Sequence, residues 1–257
     1  EYLLAMNTAK VDEEFRINLN IIATTITSHI KQRRSSASVS YLKADIDKAR
    51  QLQKSILPEH EFKFNDYELY GITNPAEIIG GDFFDYLEHS EEKDRLGVTI
   101  GDAASKGVGA AAEAMYIAGA LRMASGFEIK IVALMRRLNQ LVNRIFEDDK
   151  FASLFYGELS THRTGLFLYA NAGHNPPIFF KAKSEKAEYL EPTGPVLGPA
   201  PNAKYQVDSI NFSKGDVLLL YSDGITESAN EKFEPYGDEK LLAKLKSLVQ
   251  LNPKEIT

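Results

Sequence analysis

Arg95-Leu96-Gly97-Val98-Thr99-Ile100-Gly101-Asp102-Ala103-Ala104-Ser105-Lys106-Gly107-Val108 is the stretch on which the fold turns. Its first half reads as a strand with Gly97 inside it. Its second half is a short loop that opens an alanine-rich helical pattern from Val108 to Ala124. The strand therefore delivers Asp102 directly to a tight turn and a helix N-terminus. A nucleotide-phosphate loop needs glycine before lysine and Ser or Thr after it. Here Lys106 precedes Gly107 and Val108 follows, so that reading is excluded. What remains is a carboxylate and the Ala103 carbonyl able to reach one hard cation, next to amides that attract anions. Lys106 has the charge to steer a phosphate there.

Two further segments share this chemistry: Gly80-Gly81-Asp82-Phe83-Phe84-Asp85 and Tyr221-Ser222-Asp223-Gly224. Each sets an aspartate beside glycine or a small residue, where the backbone turns tightly. Asp82 precedes an apolar strand and Asp223 follows one, Val217 to Tyr221. Taken singly, each has a plain explanation, because Asp-Gly is a common turn and Gly-Gly-Asp can form a bulge. Far apart in the chain, Asp82, Asp102 and Asp223 can meet only through the fold. Asp85, three residues beyond Asp82, falls on the opposite strand face and reads as structural. His174, in Asn171-Ala172-Gly173-His174-Asn175-Pro176-Pro177, reads as a hydrogen-bonded turn pin rather than a general acid.

Composition narrows the chemistry. The chain has 257 residues, 44% of them hydrophobic, enough for one large domain with an appendage. Its formal net charge of −6 and lack of a basic stripe argue against nucleic acid as a partner. Having no cysteine, it cannot form disulfides, zinc-thiolate sites or a cysteine nucleophile. Oxygen donors favour Mg, Mn or Ca. No run of about 18 apolar residues exists and no signal-peptide pattern opens the chain, so the expected location is cytoplasmic. Because Glu1 is not preceded by methionine, we expect upstream sequence, which offers a route to membrane attachment of the parent.

Residues 1–57 form an expected helical linker and 58–257 the body. Phe15, Leu19, Ile22, Ile26 and Ile30 make one apolar stripe; Leu42, Ile46, Ala49, Leu52 and Ile56 make another. Between them Arg33-Arg34-Ser35-Ser36-Ala37-Ser38 is either a loop or a weak stretch within one long helix. The stripes suit either packing on the body or a coiled coil that makes a homodimer and connects to an upstream sensor module. In the body, strand patterns cover Tyr67 to Thr73, Phe83 to Leu87, Arg95 to Ile100, Phe151 to Leu159, Gly165 to Ala170, Pro177 to Lys181, Tyr205 to Phe212 and Asp216 to Tyr221. Helices cover Val108 to Ala124, Ile129 to Phe146 and Asp238 to Val249. Hairpin-sized spacing predicts an α+β sandwich of antiparallel β-sheets flanked by helices. If Leu42 to Ile56 docks near the Val108 helix, Leu52→Asp or Ile56→Asp is expected to change activity without unfolding the body.

Together these segments resemble the SpoIIE-like serine phosphatases, a bacterial branch of the metal-dependent, phosphatase-2C-like (PPM) protein phosphatases. Six blocks carry the resemblance in family order: Ala49-Arg50-Gln51-Leu52-Gln53-Lys54-Ser55-Ile56-Leu57-Pro58, Ile79 to Asp85, Gly101 to Gly107, Phe151-Ala152-Ser153-Leu154-Phe155-Tyr156-Gly157, Asn171 to Pro177, and Leu219 to Glu227. The resemblance implies a phosphatase-2C-like fold and a centre of two Mn or Mg ions. Its ligands would be Asp82, Asp102, the Ala103 carbonyl and Asp223, which are also the implied catalytic residues. The implied substrate is a phosphoserine or phosphothreonine regulatory protein, an anti-sigma-factor antagonist in this family. Two departures stand out. Ala104 and Ser105 replace the family's serine and second glycine, and the chain reaches Thr257 before the family's final helix and the strand whose aspartate adds a ligand. The second site is therefore expected to be weak in this chain, and the competing function is a catalytically inactive phosphatase-like binding module.

Overall fold

A computed structural model describes residues 12–75, 79–89, 94–147, 150–163 and 165–257, so the first eleven residues of the expected linker lie outside the described residues. The chain divides into two units between Gln51 and Leu52. Helix α1, Glu13–Ile56, runs without interruption through the Arg33–Ser38 stretch, which resolves the two sequence alternatives in favour of one long helix. The stretch holds no glycine or proline, and serine costs a helix only a few tenths of a kcal/mol. In the first unit Ile22 and Ile26 of the apolar stripe remain exposed.

Strands β1 (Glu61–Phe64) and β2 (Tyr67–Tyr70) form a hairpin. The principal sheet has the order β3-β4-β5-β6-β9, all antiparallel, built from β3 (Phe83–His89), β4 (Arg95–Ala103), β5 (Ala152–Ser160), β6 (Leu166–Ala172) and β9 (Asp208–Asn211). A smaller antiparallel sheet has the order β10-β7-β8, from β7 (Ile178–Lys181), β8 (Lys186–Tyr189) and β10 (Val217–Leu219). The helices of the body are α2 (Gly107–Ser125), α3 (Ile131–Ile145), α4 (Asp223–Thr226), α5 (Asp238–Leu248) and α6 (Pro253–Ile256). The predicted Tyr205–Phe212 strand shrinks to β9, because Tyr205 leaves the sheet to enter the core and donate its hydroxyl to Asn139 Oδ1 at 3.1 Å.

Alternation along the strands sorts the core into layers. Ala152, Leu154 and Tyr156 of β5 join Phe83 and Leu87 of β3 beneath α2 and α3. The intervening residues, Phe155 and Leu159, join Leu96, Phe167, Tyr169 and Phe179 in the seam between the two sheets. On the far side of the smaller sheet, Ile178 and Tyr221 pack on Leu241 and Leu245 of α5. The result is helices, sheet, sheet, helix, the expected α+β sandwich. On α2, Ala110, Ala111, Ala114 and Ala118 are buried. Their small side chains bring the helix close to the sheet.

Candidate metal centre

The seam between the sheets changes character at one end. In the β3–β4–β5 ladder, Phe84, Ile100 and Phe155 form one cross-strand row facing the seam. Two residues further along each strand the same face carries Asp102 and, directly opposite on β5, Ser153. Continuing the β3–β4 register by one residue past Phe83 and Gly101 places Asp82 opposite Asp102. The Ala103 N–H donating to the Gly81 carbonyl at 3.4 Å marks that continuation. Period-two geometry thus turns an apolar row into Asp82–Asp102–Ser153. From the smaller sheet, the segment after β10 brings Ser222, whose hydroxyl donates to Asp82 Oδ2 at 2.6 Å, and then Asp223 as the first residue of α4.

The three aspartates act on one another through their charges. Burial pushes the Asp102 carboxyl up to about 7, and the negative charges of Asp82 and then Asp223 push it in the same direction. Among the described residues no basic side chain offsets them. Gly81 closes the other side. A Cβ there would lie 2.6 Å from the Ala103 carbonyl oxygen and 3.1 Å from Asp102 Oδ1, so this narrow cradle of oxygens exists only with glycine. Carboxylates and a carbonyl around a cradle short of positive charge suit a hard divalent cation. Among the described residues no three His, Asp or Glu side chains already enclose a single point as a metal cage. Asp223 is exposed, so the carboxylates are gathered without being closed.

The loop substitutions leave the backbone intact. Ala104 and Ser105 do not take the left-handed conformation that requires glycine; Gly107 does, at φ 67°. Ala104 N–H donates to the Phe151 carbonyl at 3.0 Å, pinning the loop to β5. Lys106 is the exposed N-cap residue of α2 and no side chain caps that helix.

Asp85 lies on the helix face, as its spacing from Asp82 predicts. It is buried and receives Arg122 of α2 at Oδ2 (2.5 Å) and Oδ1 (3.0 Å). Arg122 Nη2, which donates to Asp85 Oδ1, also donates to the Ile56 carbonyl and fixes the end of α1. Gln53 and the Gly80 backbone exchange hydrogen bonds, 2.6 Å from Gln53 Nε2 to the carbonyl and 3.4 Å from the amide to Oε1. Within the second unit, Gln53 and the Ile56 carbonyl at the end of α1 hydrogen-bond to the body, whereas Leu52 is 62% exposed. His174 is the pinned turn residue foreseen: Asn171 Oδ1 accepts from its N–H and Asn171 Nδ2 donates to its carbonyl. Ser153 and Ser222 went unremarked in the sequence; their signal was a polar residue in phase with Phe155 and with Leu218 and Leu220.

The sequence profile described as Stage II sporulation protein E (SpoIIE) matches residues 92–257. The chain is 27% identical over 190 residues to phosphoserine phosphatase RsbU of Bacillus subtilis (strain 168), covering 74% of this chain and 56% of that one. Among solved structures, the RsbU and RsbW domains of Rv1364c from Mycobacterium tuberculosis are 30% identical, with a TM-score of 0.59, 71% of this chain covered and 49% of that one. The SiaA-PP2C domain of Pseudomonas aeruginosa is 18% identical and gives a TM-score of 0.69 over 86% of this chain and 87% of that one, a likeness of fold. The chain spans 35%, 56% and 46% of the lengths of the curated relatives it matches. With this phosphatase-2C-type sandwich and the profile match over most of the body, the chain belongs to the SpoIIE family.

Proposed function

We propose that the chain is the catalytic part of a metal-dependent protein serine/threonine phosphatase that acts on a phosphorylated regulatory protein in bacterial signalling. The observation that carries this reading is the Asp82–Asp102 row, with Ser222 bonded to Asp82 and Asp223 near enough to raise the Asp102 carboxyl. Asp82, Asp102, Asp223 and the Ala103 carbonyl would hold Mn2+ or Mg2+, drawn together as the cation relieves their mutual repulsion. When bound, such ions acidify water and neutralise phosphoryl oxygens.

The chain's own residues do the rest. Ser222 holds one oxygen of Asp82 and so orients the other. Gly81 keeps the cradle open. Lys106, exposed at the head of α2, adds a positive charge to the approach of an anionic phosphoprotein. The regular backbone of the Ala104–Ser105 loop favours an active enzyme over an inactive binding module. The relatedness to a phosphoserine phosphatase supports the substrate class. The family resemblance suggests an anti-sigma-factor antagonist as the regulatory partner. The exposed apolar stripe on α1 suits a homodimeric coiled coil joined to an upstream sensor. A cytoplasmic site of action fits such a substrate, and no described helix is long and apolar enough to cross a membrane.

Hydrolysis of p-nitrophenyl phosphate and of a phosphoserine protein, with and without Mn2+, tests the reading. Turnover should require the metal and fall to background in Asp102→Asn. A metal-independent rate, or one that Asp102→Asn leaves unchanged, would overturn it.

A further inference from the structure

His174 is 2% exposed, yet it is not merely a turn pin. Its Nδ1 lies 2.7 Å from Ser153 Oγ, and Ser153 stands directly opposite Asp102 in the β4–β5 ladder. Its Nε2 is buried and has no hydrogen-bond partner at normal geometry. The Tyr221 backbone approaches the ring and partly offsets the effect of burial on its protonation. Tyr221 precedes Ser222, which binds Asp82, and Asp223, whose charge acts on Asp102. The imidazole is thus tied through Ser153 to the strand beside Asp102.

The tautomer sets the direction of this bond. With the proton on Nε2, the tautomer that the proposed role requires, Nδ1 is free to accept. The Ser153 hydroxyl then donates to it. With its proton committed to His174, Ser153 can only accept on its remaining side, toward the row it shares with Asp102. An acceptor there complements a hydrated cation and not a bare carboxylate. The turn that places His174 is itself fixed: Gly173 has φ 66°, and a Cβ there would meet Val196 Cγ1 at 2.5 Å.

We propose that His174 is a positioning residue of the metal centre, orienting Ser153 beside Asp102. This rests on the metal-dependent reading given above. The test is direct Mn2+ titration of the full chain, read as free Mn2+ by electron paramagnetic resonance, alongside urea unfolding. Residues that orient metal ligands typically change affinity 10- to 100-fold when removed. His174→Ala and Ser153→Ala should each weaken Mn2+ binding about 10-fold in protein that still unfolds cooperatively. His174→Asn, which can still offer an acceptor to Ser153, should recover most of that loss. If His174→Ala does not fold, Ser153→Ala decides alone. Mn2+ affinity unchanged within about twofold in the folded variants, with the wild type binding normally, overturns the positioning role and leaves the phosphatase reading standing. A wild-type chain that binds no Mn2+ overturns both.

Discussion

At the scale of the residue, the centre depends on one missing side chain as much as on three present ones. In Gly81→Ala the new methyl group would have to displace the Ala103 backbone carbonyl, which is held in β4 and cannot swing aside as a side chain can.

 The expected result is a loss of about 1–3 kcal/mol of stability, measured by urea unfolding, together with weaker Mn2+ binding. Ser222→Ala leaves an oxygen of Asp82 without its donor, and kcat/KM should fall about 10-fold with little change in the unfolding midpoint. The three aspartates were legible in the sequence because glycine or a small residue flanks each. Ser153, Ser222 and the inward face of His174 were not, because a lone serine in an apolar strand has no meaning until the register says what stands opposite.

At the scale of the element, pairing across layers decides the outcome. Arg122 of α2 neutralises Asp85, which is buried on β3, while its other contact holds the end of α1. Arg122→Ala strands a buried carboxylate, and we expect a destabilisation of about 2 kcal/mol, below the range for fully buried pairs because the arginine is 41% exposed. Urea unfolding at neutral pH measures it; an unchanged midpoint would mean that water replaces the guanidinium without cost. Local pattern predicted α2, α3, α5 and most of the strands. It did not predict β8, an exposed edge strand of weak alternation, nor the continuity of α1, where polar composition imitates a loop without breaking the helix.

At the scale of the whole molecule, the sandwich buries two histidines in their neutral forms. Burial lowers His174 from 6.5 to about 4 and also lowers His89, which lies between the Tyr156 hydroxyl and the Glu158–Arg95 pair. The unfolded chain takes up protons at these positions below about pH 6.5 and the folded chain resists them, so unfolding gains protons and stability falls with falling pH. Each site contributes a slope of at most about 1.4 kcal/mol per pH unit, which for His174 is exhausted near pH 4. The raised Asp102 carboxyl acts in the opposite sense, because the folded chain takes up its proton near pH 7. In an Asp102→Asn background, which removes that uptake, urea midpoints taken from pH 7.5 to pH 5 should therefore decline; a flat or rising series there would contradict neutral burial. The layered class was legible from hairpin-sized spacing, whereas the joining of β9 to β6 and of β10 to β7 was not, since long-range pairing leaves no local trace.

The cross-strand row has a consequence for how such a centre can change over time. Asp82 and Asp102 are neighbours only because β3 and β4 are in one particular alignment. A single residue inserted between Ile100 and Asp102 would turn Asp102 toward the helices while leaving every ligand-forming amino acid in the chain. The centre is thus inherited as a count of residues along two strands, and an insertion or deletion there would abolish it more surely than many substitutions.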